Sequence, residues 1–166
     1  MTKEEFMERA DQSAILIYES MHTISEAAKQ YAIDNNGTPL PGTVNNVKKL
    51  LLEGGYIEKW PEIPPFAFTD LKQFELAYYN GFADMDGIGA DDDVMYAQYL
   101  KFEVCNKFIR RYSSAGPEDV IYDYEAHRER YPGEVFGRHM KIYAINWYSS
   151  SEFRYCDIEW VVKYND

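Results

Sequence analysis

Thr2-Lys3-Glu4-Glu5, followed by Ala10-Asp11-Gln12-Ser13-Ala14-Ile15-Leu16-Ile17-Tyr18-Glu19-Ser20-Met21-His22-Thr23-Ile24-Ser25-Glu26-Ala27-Ala28-Lys29-Gln30-Tyr31, decides the fold class. The first four residues are a capping box: a threonine hydroxyl for an orphan amide of the first turn, and a glutamate three positions on. Ala10, Ala14, Ile17, Met21, Ile24, Ala28 and Tyr31 then recur at alternating steps of 4 and 3, which places them on one side of a helix. Arg9, Asp11, Glu19, Glu26 and Lys29 fall off that stripe. A helix of about 30 residues is roughly 45 Å long. A stripe of that length is either a coiled-coil seam or a face laid on a sheet.

Outward from the helix, Asp34-Asn35-Asn36-Gly37 reads as its stop, with glycine suited to a left-handed cap. Asn36-Gly37-Thr38 also spells a glycosylation sequon, although a turn that needs Asn-Gly explains it without any sugar. Thr38-Pro39-Leu40-Pro41-Gly42 is an extended connector. Thr43 caps a second helix, Val44 to Glu53, which Gly54-Gly55 ends. The prolines between Tyr56 and Pro65 exclude a central strand.

Beyond Phe66 the period moves towards two. Phe74 to Asn80 reads as a strand and Gly81 to Asp93 as a loop. Val94 to Cys105 fits a strand or a helix, and Glu103 to Tyr112 is helical, with Val104, Phe108, Ile109 and Tyr112 on one face. Pro117 to Gly133 is polar and ambiguous. His139 to Tyr148 and Glu152 to Tyr164 are runs of β-formers around Ser149-Ser150-Ser151, a hairpin. A long helix followed by antiparallel strands is an α+β pattern. The expected layout is a single domain over 1–166. It comprises a long amphipathic helix (1–36), a connector with a short second helix (37–65), and a sheet-rich part (66–166) packed against the long helix.

Composition narrows the function. The chain has 166 residues and a formal charge of −11, which argues against a nucleic-acid partner, because a phosphate backbone needs a basic face. The longest purely apolar run, Ala14 to Tyr18, is far short of the roughly twenty residues a membrane span needs. Aromatic residues make up 16%, with 15 tyrosines, which suits cross-strand packing or a recognition surface.

The search for catalytic chemistry is nearly empty. Gly87-Ile88-Gly89 lacks the third glycine of a phosphate loop, and the chain holds no nucleophile elbow, HExxH or CxxC. His22, His127 and His139 are scattered. The expectation is therefore a protein that is not an enzyme. One constellation stands out: Asp84, Asp86, Asp91, Asp92 and Asp93, five carboxylates within ten residues interleaved with glycines. Calcium takes six to eight oxygens from such loops. The run fails the EF-hand template, since Ile88 occupies the fifth position and Val94 and Met95 stand where the closing glutamate would come. It is a candidate calcium site or an exposed acidic turn. Cys105 and Cys156 fit no zinc spacing; as a pair they are two reduced thiols or one disulfide.

The stretch up to Pro65 resembles the type IV pilin and type II secretion pseudopilin family. The resembling residues are Ile24 to Tyr31, Asp34-Asn35-Asn36-Gly37, Pro39 and Pro41, the helix Val44 to Leu52, Gly55-Tyr56-Ile57, and Pro61, Pro64 and Pro65, about 45 residues in order. The resemblance implies a long helix on an antiparallel sheet and a function by assembly: a structural subunit of a type IV pilus or of a type II secretion pseudopilus. It implies other pilin or pseudopilin subunits as partners, with a secreted protein or a surface ligand on the exposed face. It tips Cys105 and Cys156 towards a disulfide closing a surface-exposed loop, and loosely supports calcium at Asp84 to Asp93. Family precursors begin with a basic leader and some twenty apolar residues, and this sequence has neither. The resemblance thus implies the globular part of a longer protein, with Met1 added. That protein would be anchored in the inner membrane only through the missing segment, and exposed to the periplasm or cell surface. The rival readings are a cytosolic α+β adaptor pairing through its first helix in a coiled coil, and a small hydrolase with an unrecognised site.

Overall fold

The computed structural model describes residues 1–38, 40, 44–70, 77–79, 93–112, 121–123, 128–132, 135–136, 140–141, 143–149, 154–162 and 164. Helix α1, Lys3–Asp34, has 32 residues. Thr2 caps it: its backbone is extended and its hydroxyl accepts the Glu5 N–H at 3.1 Å. At the other end the Asn35 N–H is shared between Tyr31 O and Ala32 O, and the Gly37 N–H reaches Ala32 O at 2.7 Å. Asn36 (φ 58°) as well as Gly37 (φ 82°) takes the left-handed conformation, so the reversal needs both residues that tolerate it.

Helix α2, Val44–Glu53, ends in a Schellman motif. Gly55 stands at φ 75°, its N–H bonds Leu52 O, and the Tyr56 N–H bonds Leu51 O. Thr43, expected to cap α2, lies outside the described residues. A short 3₁₀ turn, Pro65–Ala67, follows.

Eight strands are described: β1 Ala77–Tyr79, β2 Asp93–Leu100, β3 Ile121–Asp123, β4 Arg128–Pro132, β5 Val135–Phe136, β6 Met140–Lys141, β7 Tyr143–Ser149 and β8 Arg154–Val162. Six form one antiparallel sheet in the order β1-β2-β8-β7-β4-β3, while β5 and β6 pair separately. The expected hairpin is β7–β8, closing at Ser149 opposite Arg154. The ambiguous stretch from Val94 resolves into β2 and then helix α3, Phe102–Tyr112, with Lys101 between them. The polar stretch from Pro117 contains β3 and β4, whose pairing with each other and with β7 extends the sheet. The 3₁₀ turn is laced to the end of β2: Thr69 N–H to Tyr99 O, Lys101 N–H to Ala67 O, and a bridge between Phe68 and Leu100.

The class is mixed α+β, with a long first helix and an antiparallel sheet. One core joins Ala10, Ala14, Ile17, Met21, Ile24 and Ala28 of α1 to Met95, Ala97 and Leu100 of β2, Ile145 of β7, and Ile158, Trp160 and Val162 of β8. Fully burying an aliphatic side chain of this size contributes roughly 1.5–3 kcal/mol. Between the larger stripe residues, α1 buries Ser13, Ser20 and Ser25, and the Ser20 hydroxyl is satisfied by Leu16 O at 2.6 Å. One part of the sequence reading needs revision: the stripe does not lie on the sheet alone. Val104 and Phe108 of α3 enter the same core, and Tyr18 stacks on Tyr112 of α3 at 3.9 Å while meeting Trp160 of β8 edge-on at 5.3 Å. α3 carries its own apolar face, and it shares the side of the sheet that α1 covers.

Candidate functional site

The residues singled out by sequence fall in three places. The acidic run is the least informative, because Asp84, Asp86, Asp91 and Asp92 lie outside the described residues. Asp93 does not end a loop. It opens β2, is 1% exposed, and accepts a hydrogen bond from the Tyr164 hydroxyl. That bond pins the start of β2 beside the end of β8. Among the described residues there is no group of three or more histidines, cysteines or acids that could hold a metal ion.

Cys105 and Cys156 are joined in a disulfide with a Cα–Cα distance of 6.6 Å. The expected bridge is present, and its sulfurs do not lie at the surface. Both cysteines are fully buried, and the bond ties α3 to the central strand β8. It lies inside the core because Cys105 shares the α3 face of Val104 and Phe108, and Cys156 shares the β8 face of Ile158 and Trp160.

α3 is therefore held on both sides, by the disulfide towards the sheet and by polar and aromatic contacts towards α1. Arg111 donates from Nε to Asp11 Oδ1 at 2.6 Å and from its terminal nitrogen to Oδ2. This bidentate bond holds the Asp11 carboxyl below its usual range, and the same bond raises the Arg111 guanidinium. Tyr18 lies against Tyr112, Phe108, His22 and Trp160. His22 itself is exposed, 3.9 Å from Glu26 one turn along. His127 and His139 are outside the described residues.

A second aromatic group lies across three neighbouring strands. Tyr148 of β7 and Tyr155 of β8 are cross-strand partners stacked at 4.7 Å, and Tyr99 of β2 meets Tyr155 at 4.9 Å. Tyr99 adopts φ 61° where the β2–β8 register shifts between Ala97 and Leu100. Its N–H, taken out of the ladder, is satisfied by the buried carboxylate of Asp157 at 3.1 Å. Burial and the nearby Asp157 charge push the Tyr155 hydroxyl up to about 12. At the edge of the helix-bearing side, Arg154 stands over the Phe102 ring at 4.4 Å, and Phe102 meets Trp147 edge-on. Lys101 donates to Phe66 O and lies over the Phe66 ring, and desolvation lowers its ammonium.

Sequence reasoning did not find the Asp11–Arg111 pair or the tyrosine row. The first spans 100 positions, and the second depends on cross-strand register. Chemically these are orienting and contact groups. No helix among the described residues is long and apolar enough to cross a membrane. No family model matches the chain, and neither does any curated protein or solved structure.

Proposed function

We propose that the chain is a pilin-like structural subunit of a type IV pilus or type II secretion pseudopilus, acting by protomer assembly and not by catalysis. The observation that carries this reading is the position of α1. It is a 32-residue rod, and the core-facing members of its stripe from Ala10 to Ala28 are fully buried against the chain's own α3 and sheet. The Asn35-Asn36-Gly37 reversal, the short helix and the Gly55-Tyr56-Ile57 cap follow in the order the family resemblance implies. Partners would be other subunits of the same filament, with secreted protein or a surface ligand on the exposed face. The full-length form would be anchored in the inner membrane by a segment preceding α1, with this domain in the periplasm or at the cell surface. A disulfide supports an oxidising compartment. It weighs against the cytosolic adaptor, as does a stripe already used inside the chain and so closed to coiled-coil pairing.

The test is expression of the gene with its natural upstream DNA in cells with and without a prepilin peptidase. The reading expects a precursor shortened only where the peptidase is present, and mature protein that sediments with sheared filaments. Unprocessed protein in the cytosol with two free thiols overturns it. Calcium at Asp84, Asp86, Asp91, Asp92 and Asp93 is a separate proposal. A ligand bound only by the native state raises the melting midpoint, so an unchanged midpoint in millimolar calcium removes it.

A further inference from the structure

We infer that Asn36 is an acceptor for an N-linked glycan. The turn that ends α1 accounts for two residues of the Asn36-Gly37-Thr38 sequon, since Asn36 and Gly37 both carry positive φ. It does not account for the third. The Thr38 N–H bonds Asn35 O, a bond that any residue except proline makes, while the Thr38 hydroxyl is exposed and bonds nothing among the described residues. The side chains around the sequon are all engaged. Asp34 accepts from Gln30 and from the Tyr56 hydroxyl, and the Asn35 amide donates to Tyr31 O at 2.8 Å. Among the described residues of this turn, only the two sequon side chains, the Asn36 amide and the Thr38 hydroxyl, are exposed and uncommitted.

Space is available as well. A methyl group built at Gly37 would meet nothing within 4 Å, so the turn stands clear of its described surroundings. Asn-X-Thr on an exposed turn is the acceptor for oligosaccharide transfer in exported proteins, and the buried disulfide fits an oxidising, exported environment. The donor class is a polyprenyl diphosphate oligosaccharide. A bond forms between Asn36 Nδ2 and the sugar C1 as the C1–O bond to the diphosphate breaks. The diphosphate leaves with that electron pair, and the amide gives up one proton. The attached glycan would stand on the exposed turn that ends α1.

The experiment is an intact-mass measurement on protein purified from its own host cells, wild type beside three variants. Asn36→Asp removes the acceptor amide but keeps a residue that tolerates the left-handed region. Thr38→Ala removes the hydroxyl, and Thr38→Ser restores it. Wild type and Thr38→Ser are expected to carry added mass in whole sugar residues, and Asn36→Asp and Thr38→Ala none. A wild-type mass equal to the bare polypeptide, or an addition that survives Asn36→Asp, overturns the inference.

Discussion

Asp11 and Arg111, 100 positions apart, meet in a bidentate ion pair that fastens α1 to α3. Both side chains are partly open to water, and pairs of that kind contribute little to stability. Asp11→Asn should therefore lower the melting midpoint by no more than a few degrees at neutral pH. The sign of its pH dependence is set by the Asp11 carboxyl, which the guanidinium holds below the usual 3.8. A depressed carboxylate stabilises the fold above its unfolded pKa and loses that contribution as pH falls through the folded one. The gap in midpoint between wild type and the Asp11→Asn variant should thus be full above about pH 5 and should close in more acidic buffer. Melting curves across that range check it; a constant gap down to the lowest pH would show that the pair does not titrate as described.

Ile17 and Leu16 are chain neighbours in opposite environments: Ile17 is fully buried and Leu16 is 40% exposed. Ile17→Ala should cost about 2–5 kcal/mol, the transfer term plus the residual cavity. Leu16→Ala should stay within about 0.5 kcal/mol. Urea unfolding of both variants measures the difference. Equal costs would mean that the stripe is not the buried side of α1.

Tyr155 has the hydroxyl pushed up to about 12, first by burial and then by the Asp157 charge. A phenol raised above its unfolded value favours the folded state while neutral. That contribution is complete below about pH 10 and is lost as pH rises towards 12. Tyr155→Phe has no proton to lose there, so its alkaline unfolding should begin at higher pH than that of wild type. A carbon NMR titration of labelled tyrosines should show Tyr155 among the last to ionise.

Much of this architecture could be read from the residues. The Thr2 cap, the period of the α1 stripe and the Ser149–Arg154 hairpin are local signals: each is written within a few turns of helix or across one reversal. What escaped is long-range. The α3 face of Val104 and Phe108 was visible as amphipathic, but nothing local says that it shares the side of the sheet with α1. β4 is a polar run, Arg128 to Pro132, made a strand by its ladder to β7. The end of β2 was ambiguous because Tyr99 leaves β geometry at φ 61° and relies on Asp157 from another strand. Asp93 read as the close of an acidic loop because its partner, Tyr164, lies 71 positions on.

The disulfide yields an expected effect on the scale of a large core truncation. Cys105 and Cys156 lie 51 positions apart, and cross-linking a loop of that length stabilises by about 4 kcal/mol through the unfolded chain's lost entropy. Because the bond ties α3 to β8 inside the core, its loss should also loosen α1, whose partners Tyr112 and Arg111 both sit on α3. Replacing both cysteines by alanine should lower the midpoint by roughly 10 °C or more. The near-ultraviolet dichroism of the Tyr18–Tyr112–Trp160 group should weaken well before the far-ultraviolet helix signal melts. Burial predicts the kinetics as well. Both sulfurs are shielded from solvent, so dithiothreitol should reduce the bond slowly in native buffer and rapidly in denaturant. Fast reduction of the native protein, with α1 contacts unchanged, would place the bond at the surface and separate it from the helix clamp.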